Sequence, residues 1–390
     1  MGKIYVILGS GRQGQSGAYD MALFGNADKI IMADIDLMAA QNAASNLNKL
    51  TNKTIATPQH LDIRNVDALG NLIKGADCVL SGVPYYFNVD IARACIEAKV
   101  NMCDLGGNTH IVLKEIEMDK VAKDAGITIV PDCGLMPGMG NVIAVYGMNK
   151  MDTCKEVQIR CGGVPQNPKP PLGYKLLFNI EGLTNEYFGK AYILRNSKVT
   201  EIDTFQELEN LEFSPPVGRC EAFTTTGGTS TCPWTFEGKI EKYEYKTVRY
   251  PGHYEKIKTM LDLGLLDMEP VEINGIRIIP RSLFHKVVTP KILFPDDKDL
   301  VVLRVMCSGI KNEDEIKITY DLMDFQDDNF SAMERTTGFA ASIVAIMLAN
   351  GEVDKGVIPL EKTGIENNFV KELLKRGFNL TETITGKPGY

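Results

Sequence analysis

The chain has 390 residues, 44% of them apolar and 24% charged, with a formal net charge of −8. That length exceeds what one hydrophobic core usually serves, so two domains are expected, and the composition is that of a globular chain. The acidic balance offers no electrostatic handle to nucleic acid or to an anionic membrane, and neither is expected as a partner.

The chain opens on "KIYVIL", which reads as a first strand and not as a signal peptide. The stretch that follows, "GSGRQGQSG", places Gly9, Gly11 and Gly14 in the G-x-G-x-x-G spacing at the point where a strand gives way to a helix. "AYDMALFG" continues that helix to Gly25, and a second apolar run, "KIIMA", ends at Asp34, twenty residues beyond Gly14. A bare strand–helix turn explains the glycines alone. The ordered series of strand, turn, helix, strand and acid points instead to a dinucleotide site. In it Gly9 permits the turn, Gly11 admits the pyrophosphate, Gly14 lets the helix pack closely, and the helix N-terminus offers free N–H groups beside Arg12 and Gln13. A carboxylate at Asp34 hydrogen-bonds a ribose 2′-hydroxyl and repels a 2′-phosphate, so NAD is expected over NADP; Arg12 argues the other way.

The βαβ rhythm continues. "TIATPQHLDIRN" holds a strand and puts Asp62 and Ile63 near the adenine, and "ADCVLSGVP" is a fourth strand whose end, with Val83 and Pro84, faces the nicotinamide. A helix "NVDIARACIEAK", a strand "NMCDLGG", a helix "EIEMDKVAKDAG" and a strand "ITIVPDCG" follow. This predicts an α/β, doubly wound parallel Rossmann sheet over residues 1–135. Tyr85, Tyr86, Asp104, Gly106, Gly107 and Asp132 then border one crevice, because ligands bind outside the carboxyl ends of such strands. Pro137 can begin the next helix. From about residue 155 strand-like runs lack regular crossovers, which predicts an α+β substrate and dimerisation domain over 136–330. Helical periodicity returns after 331, as C-terminal helices expected to pack back on the first domain. The apolar run at 339–349 is too short to span a bilayer and reads as a core helix. Nine cysteines without a C-x-x-C pair predict reduced, buried thiols in the cytoplasm and no metal site.

Seven stretches, "GSGRQGQ", "VPYYFN", "DLGGN", "PDCGLMPGM", "GGVPQNPKPPLGY", "TTTGGTST" and "YKTVRYPGH", resemble in order and spacing the saccharopine dehydrogenase–like family, and within it the lysine 6-dehydrogenase branch. The resemblance runs from residue 3 to about 350. It implies a homodimer and NAD-dependent oxidative deamination of the ε-amine of L-lysine, whose aldehyde product cyclises to a piperideine carboxylate. Saccharopine-forming members carry Asp before the Pro-Gly pair; here the residue is Met136, which favours the deaminating branch.

An ε-ammonium of pKa ~10.4 is neutral in roughly one molecule in 2,500 at neutral pH, a cost of ~4.6 kcal/mol that a base or a desolvated site must offset. Asp104 is the first candidate base or ammonium partner, with an N-cap role as its competitor. Asp132 is a second acid, with a loop hydrogen-bonding role as competitor. Arg249 suits a substrate carboxylate through its bidentate fork, against a surface ion pair. His253 is placed to shuttle a proton or hold water, against a structural role. Thr229 and Ser230 offer donors to the carboxylate, against a glycine-rich turn, and Tyr86 stands as a catalytic candidate against aromatic packing. Two other functions stay open: a saccharopine or carboxylated-polyamine dehydrogenase, and a non-catalytic NAD sensor.

Overall fold

The computed structural model describes residues 2–386. The first domain is a seven-stranded, all-parallel sheet. Six strands come from the N-terminal part: β1 (Lys3–Leu8), β2 (Ala27–Asp34), β3 (Ala56–His60), β4 (Cys78–Ser81), β5 (Asn101–Asp104) and β6 (Thr128–Val130). Their order, β3-β2-β1-β4-β5-β6, reverses direction of travel between β1 and β4, which opens a ligand crevice at the carboxyl ends of those two strands. Tyr5 to Leu8 of β1 are fully buried, as a central strand covered by helices on both faces requires. Pro58 falls in β3, at the sheet edge, where a missing N–H costs nothing.

The stretch after β5 folds as two helices, Thr109–Ile116 and Asp119–Ala125, where the periodicity had predicted one beginning at Glu115. Asn108 starts the first by accepting a hydrogen bond from the Ile111 N–H at 3.2 Å, a cap that the longer reading ran past. The next helix, Met139–Met148, begins two residues beyond Pro137, with Gly138 as its N-cap.

The second domain is a nine-stranded mixed sheet. Its long central strand β7 (Thr153–Pro165) pairs in parallel with Lys242–Arg249 and antiparallel with Asp299–Lys311. Glu209–Phe213, Gly218–Phe223 and Asp314–Phe325 are further strands that the sequence reading passed over.

The C-terminal segment divides between the domains and is not purely helical. Helix Ala340–Asn350 lies against β4, β5 and the first helix, α1 (Arg12–Phe24). Gly356–Val357 adds the seventh strand to the first sheet, whereas Leu380–Gly386 pairs with Asp314–Phe325 of the second. A buried ion pair ties this segment back to α1, with Arg376 Nε 2.7 and 2.9 Å from the two Asp20 oxygens. The apolar run extends further than expected: the helical stretch Ala332–Asn350 is 19 residues, long and apolar enough to cross a membrane by length and composition, and it is 72% buried in the fold. All nine cysteines are free and buried.

Candidate active site

The glycine loop has the shape that a dinucleotide demands. Gly9 sits at φ +94°, and a Cβ there would stand 2.8 Å from the Gly82 carbonyl oxygen of the neighbouring strand end. A Cβ on Gly14 would lie 2.0 Å from the Gly9 carbonyl oxygen, so only glycine lets α1 start this close to the loop. A Cβ on Gly11, by contrast, meets nothing within 4 Å. The space over Gly11, in front of the free N–H groups that begin α1, fits a pyrophosphate. Gln13 contributes a buried side-chain oxygen without a partner.

Asp34 ends β2 and accepts from the Ser10 N–H at 2.8 Å and the Asp36 N–H at 2.9 Å. The first bond clamps the acid to the glycine loop, and each oxygen keeps a lone pair for a sugar hydroxyl. Asp36 adds a second carboxylate at the same strand end and caps the next helix through the Met38 N–H. Arg12, the cation that could have met a 2′-phosphate, pairs with Glu334 at 3.2 Å. Asp62 chelates the Arg64 guanidinium at 2.9 and 2.7 Å, so that cation is also engaged. Ile63, Val83 and Gly106 are half-buried around the crevice, and Pro84 is exposed. Tyr86 is 58% exposed on the short turn Tyr85–Phe87. It is Tyr85 that packs over the Gly106–Gly107 turn after β5, its ring 3.4 Å from where a Gly107 Cβ would stand.

The carboxyl ends of β5 and β6 carry a buried acid cluster. Asp104 is wholly inaccessible; its Oδ1 accepts from the Gly106 N–H at 2.6 Å and the Asp132 N–H at 3.1 Å, and its Oδ2 has no hydrogen-bond partner. The Asp104 side chain therefore caps a turn, and not the helix that follows, which Asn108 caps. Burial, reinforced by the charge of Asp132, pushes Asp104 up to about 8. Burial pushes Asp132 up to about 7, opposed by the Ser230 hydroxyl that donates to its Oδ2. A third acid, Glu115, is also fully buried. Burial and the two aspartates raise it well above the ordinary carboxyl range. Among the described residues, none of the three forms an ion pair with a lysine or arginine, and no cation is among the main influences on their pKa. Buried acids without a cation are costly unless protonated or joined by a charge from outside.

The Ser230–Asp132 bond joins the two domains. Beside it, Thr231 donates to Glu361 Oε1 at 2.8 Å and Asn141 Nδ2 donates to the Gly228 carbonyl at 3.3 Å. The loop 224–231 thus closes the crevice from the second-domain side. Thr229 is turned away from it, its hydroxyl donating to the Tyr192 carbonyl at 2.7 Å. Tyr245 lies directly over Gly228, whose missing Cβ would fall 2.1 Å from the ring, and bonds Thr247 at 2.9 Å. Burial pushes the Tyr245 hydroxyl well up, with the charge of Glu186 raising it and that of Arg249 opposing.

Arg249 ends the strand Lys242–Arg249 and is buried. Its Nε donates to Tyr187 Oη at 3.1 Å, its guanidinium carbon stands 4.9 Å from the Tyr174 ring centre, and Nη2 is 3.8 Å from Glu186. Glu186 is half-buried, and desolvation raises its carboxyl to about 7 against the charge of Arg249. His253 departs from the expected role. Its Nδ1 faces the Leu172 carbonyl at 3.2 Å, which only accepts, so Nδ1 carries the proton and Nε2 accepts from Tyr187 Oη at 3.0 Å. Burial, helped by the Arg249 charge, holds the ring neutral and its pKa down to about 3. Rather than shuttling protons, His253 orients Tyr187 and through it Arg249.

Several of these groups escaped the sequence reading. Glu115 falls three residues after the buried Val112, a helical spacing that marks the inward face. Tyr174 closes the stretch "GGVPQNPKPPLGY" but carried no assigned role there, and Glu186 and Tyr187 lie in a stretch without strong periodicity, where no local signal pointed to them.

Comparison with known proteins places these features. Residues 5–130 match the family model described as the saccharopine dehydrogenase NADP binding domain, and residues 134–378 match the saccharopine dehydrogenase C-terminal domain. The mitochondrial alpha-aminoadipic semialdehyde synthase of Mus musculus is 26% identical over 87% of this chain and 43% of its own length. The saccharopine dehydrogenase [NADP(+), L-glutamate-forming] of Saccharomyces cerevisiae is 25% identical over 70% of this chain and 60% of its own. The chain thus spans about half the length of these curated relatives. The solved apo structure of the L-Glu-forming saccharopine dehydrogenase from Saccharomyces cerevisiae superposes with a TM-score of 0.79 at 19% identity, covering 98% of this chain and 100% of that one. A Rossmann sheet with the family's nucleotide-binding signature, joined to the family's second domain along nearly the whole chain, makes this protein a member of the saccharopine dehydrogenase family.

Proposed function

We propose that the protein oxidises the ε-amine of L-lysine with NAD, releasing ammonia and an aldehyde that cyclises with the α-amine. One observation carries the reading: Asp104 and Asp132 are buried beside the dinucleotide crevice without a lysine or arginine partner among the described residues. A substrate ammonium supplies that charge. In this reading Arg249, whose ion-pair partner Glu186 stands 3.8 Å away, takes the α-carboxylate.

The raised basicity of Asp104 matters for the proton. Transfer from an ammonium of pKa ~10.4 to an ordinary carboxylate of 3.8 is uphill by about 9 kcal/mol, whereas transfer to Asp104 at about 8 is uphill by about 3. Asp104 takes the ammonium proton, freeing the nitrogen lone pair that must push as the hydride leaves. NAD, held by Gly9, Gly11, Gly14 and Asp34, supplies the hydride acceptor when bound. Asp132 exchanges its Ser230 bond for the amine and then holds the water that adds to the imine. The balance is one amine, one NAD and one water giving aldehyde, ammonia, NADH and a proton. Two carboxylates at the end of β2, with Arg12 and Arg64 already paired, support NAD over NADP.

Family membership favours a second reading, oxidation of saccharopine, a secondary amine with a longer acidic arm. That arm needs another cation: Arg160, Lys246 and Arg376 already have carboxylate partners, whereas Lys175 and Arg281 are buried without an ion pair among the described residues, so the choice of substrate falls to experiment. The test is reduced-nicotinamide absorbance with NAD and either L-lysine or saccharopine, alongside a direct NAD binding measurement. A signal from lysine supports the proposal, a signal from saccharopine alone replaces it with the second reading, and binding without any signal leaves a sensor.

A further inference from the structure

Glu115 is a buried carboxyl that nothing so far explains. It sits on the inward face of helix Thr109–Ile116, fully inaccessible, with neither oxygen meeting an N–H or hydroxyl donor. Asp104 Oδ2, buried beside it, likewise lacks a donor. Beyond the effect of burial, Asp104 raises Glu115 both through its charge and through a side-chain hydrogen bond that only a protonated carboxyl can make. Two ionised carboxylates cannot bond, but an acid and a carboxylate can, and one proton between them satisfies both orphaned groups. The surroundings offer no alternative. Asp132 is the other charged group acting on Glu115, and Asp104 additionally feels Cys103. Helix Asn88–Ala98, which packs against the Glu115 helix, keeps Asp90, Arg93 and Glu97 exposed.

We infer that Glu115 is a positioning residue for the proposed base: protonated, it donates to Asp104 Oδ2, keeping that carboxyl ionised and aimed to accept a proton from the bound amine. The assignment of the amine rests on the functional proposal; the shared proton rests on the burial of the two carboxyls, their missing donors and the action of Asp104 on Glu115. Of the two acids, Glu115 keeps the proton. Asp104 already accepts two backbone N–H bonds that favour its charged form, and Glu115 accepts none.

Two variants and one spectrum test this. Glu115→Gln retains a donor of the same size, so the acidic limb of the kcat/KM profile stays within ~0.3 pH units of the parent. Glu115→Leu removes the donor and leaves Asp104 buried, so the limb moves up by about one pH unit or more. A merely structural Glu115 changes stability in both variants and moves neither limb, and equal limbs in the two overturn the inference. Infrared difference spectra of the whole protein, with and without Glu115→Gln, need no turnover. The parent at neutral pH carries one more protonated-carboxyl stretch than the variant. No such difference overturns the pairing. A clear difference in a protein that leaves lysine unoxidised upholds the pairing and rejects lysine as the substrate.

Discussion

Replacing Gly11 with alanine separates cofactor binding from folding. The structure supplies the magnitude on each side. Within the protein an alanine Cβ at position 11 meets nothing within 4 Å, and the backbone φ of −71° suits any residue. The cost to folding is then limited to a weaker N-cap, at most about 1 kcal/mol. The same methyl stands in the space over the first N–H groups of α1, where a pyrophosphate must come into van der Waals contact with the backbone. A misfit there costs at least about tenfold in affinity, ~1.4 kcal/mol. Gly14→Ala is the control of opposite sign: its Cβ overlaps the Gly9 carbonyl at 2.0 Å, so α1 must shift and stability falls by about 1–3 kcal/mol. Denaturant midpoints give the stability and calorimetric titration with NAD gives the affinity. A Gly11→Ala protein that binds NAD like the parent, or that loses as much stability as Gly14→Ala, refutes the assignment of the loop.

Three further outcomes follow from named contacts. Asp34→Ala should weaken NAD and narrow its advantage over NADP, because the carboxylate that repels a 2′-phosphate is gone; paired titrations read the ratio. Asp132 is raised in the fold from 3.8 to about 7, so the stability it contributes is complete below 3.8 and is lost as pH rises through about 7. Asp132→Asn should therefore gain on the parent as pH climbs from about 4 and level off above about 7, as chemical denaturation across pH would show. His253 behaves in the opposite sense. Its pKa is lowered from 6.5 to about 3, so stability is complete above 6.5 and drains away as pH falls through that window; His253→Asn should flatten this part of the curve while leaving the acidic limb of turnover in place.

The first domain was legible because its chemistry is local. A strand–glycine–helix–strand–acid series occupies consecutive residues, and Gly9 and Gly14 each answer a contact made within the loop or with the adjoining strand end, while Gly11 leaves open space. Asp104 and Asp132 were found by the same logic, since parallel strands bring their carboxyl ends to one edge. The second domain resisted. Strands such as Glu209–Phe213 are short and half-exposed, so alternation has little length in which to show. The partners of Arg249 come from Tyr174, Glu186 and Tyr187, far away in the chain. His253 shows the limit most plainly: its sequence context says nothing about which carbonyl faces Nδ1, and that contact decides whether the ring titrates near neutrality or far below it. Glu115 escaped because the helix boundary was placed six residues late, which disguised its inward face.

The central claim is that Asp104 is the base for a bound amine, and Asp104→Asn tests it most directly when NAD dissociation constants and lysine turnover are measured on the same preparation. The account predicts turnover lower by about 10²–10⁴-fold with NAD affinity within about twofold of the parent. Turnover that survives the substitution, or NAD affinity that falls in step with it, would contradict the account.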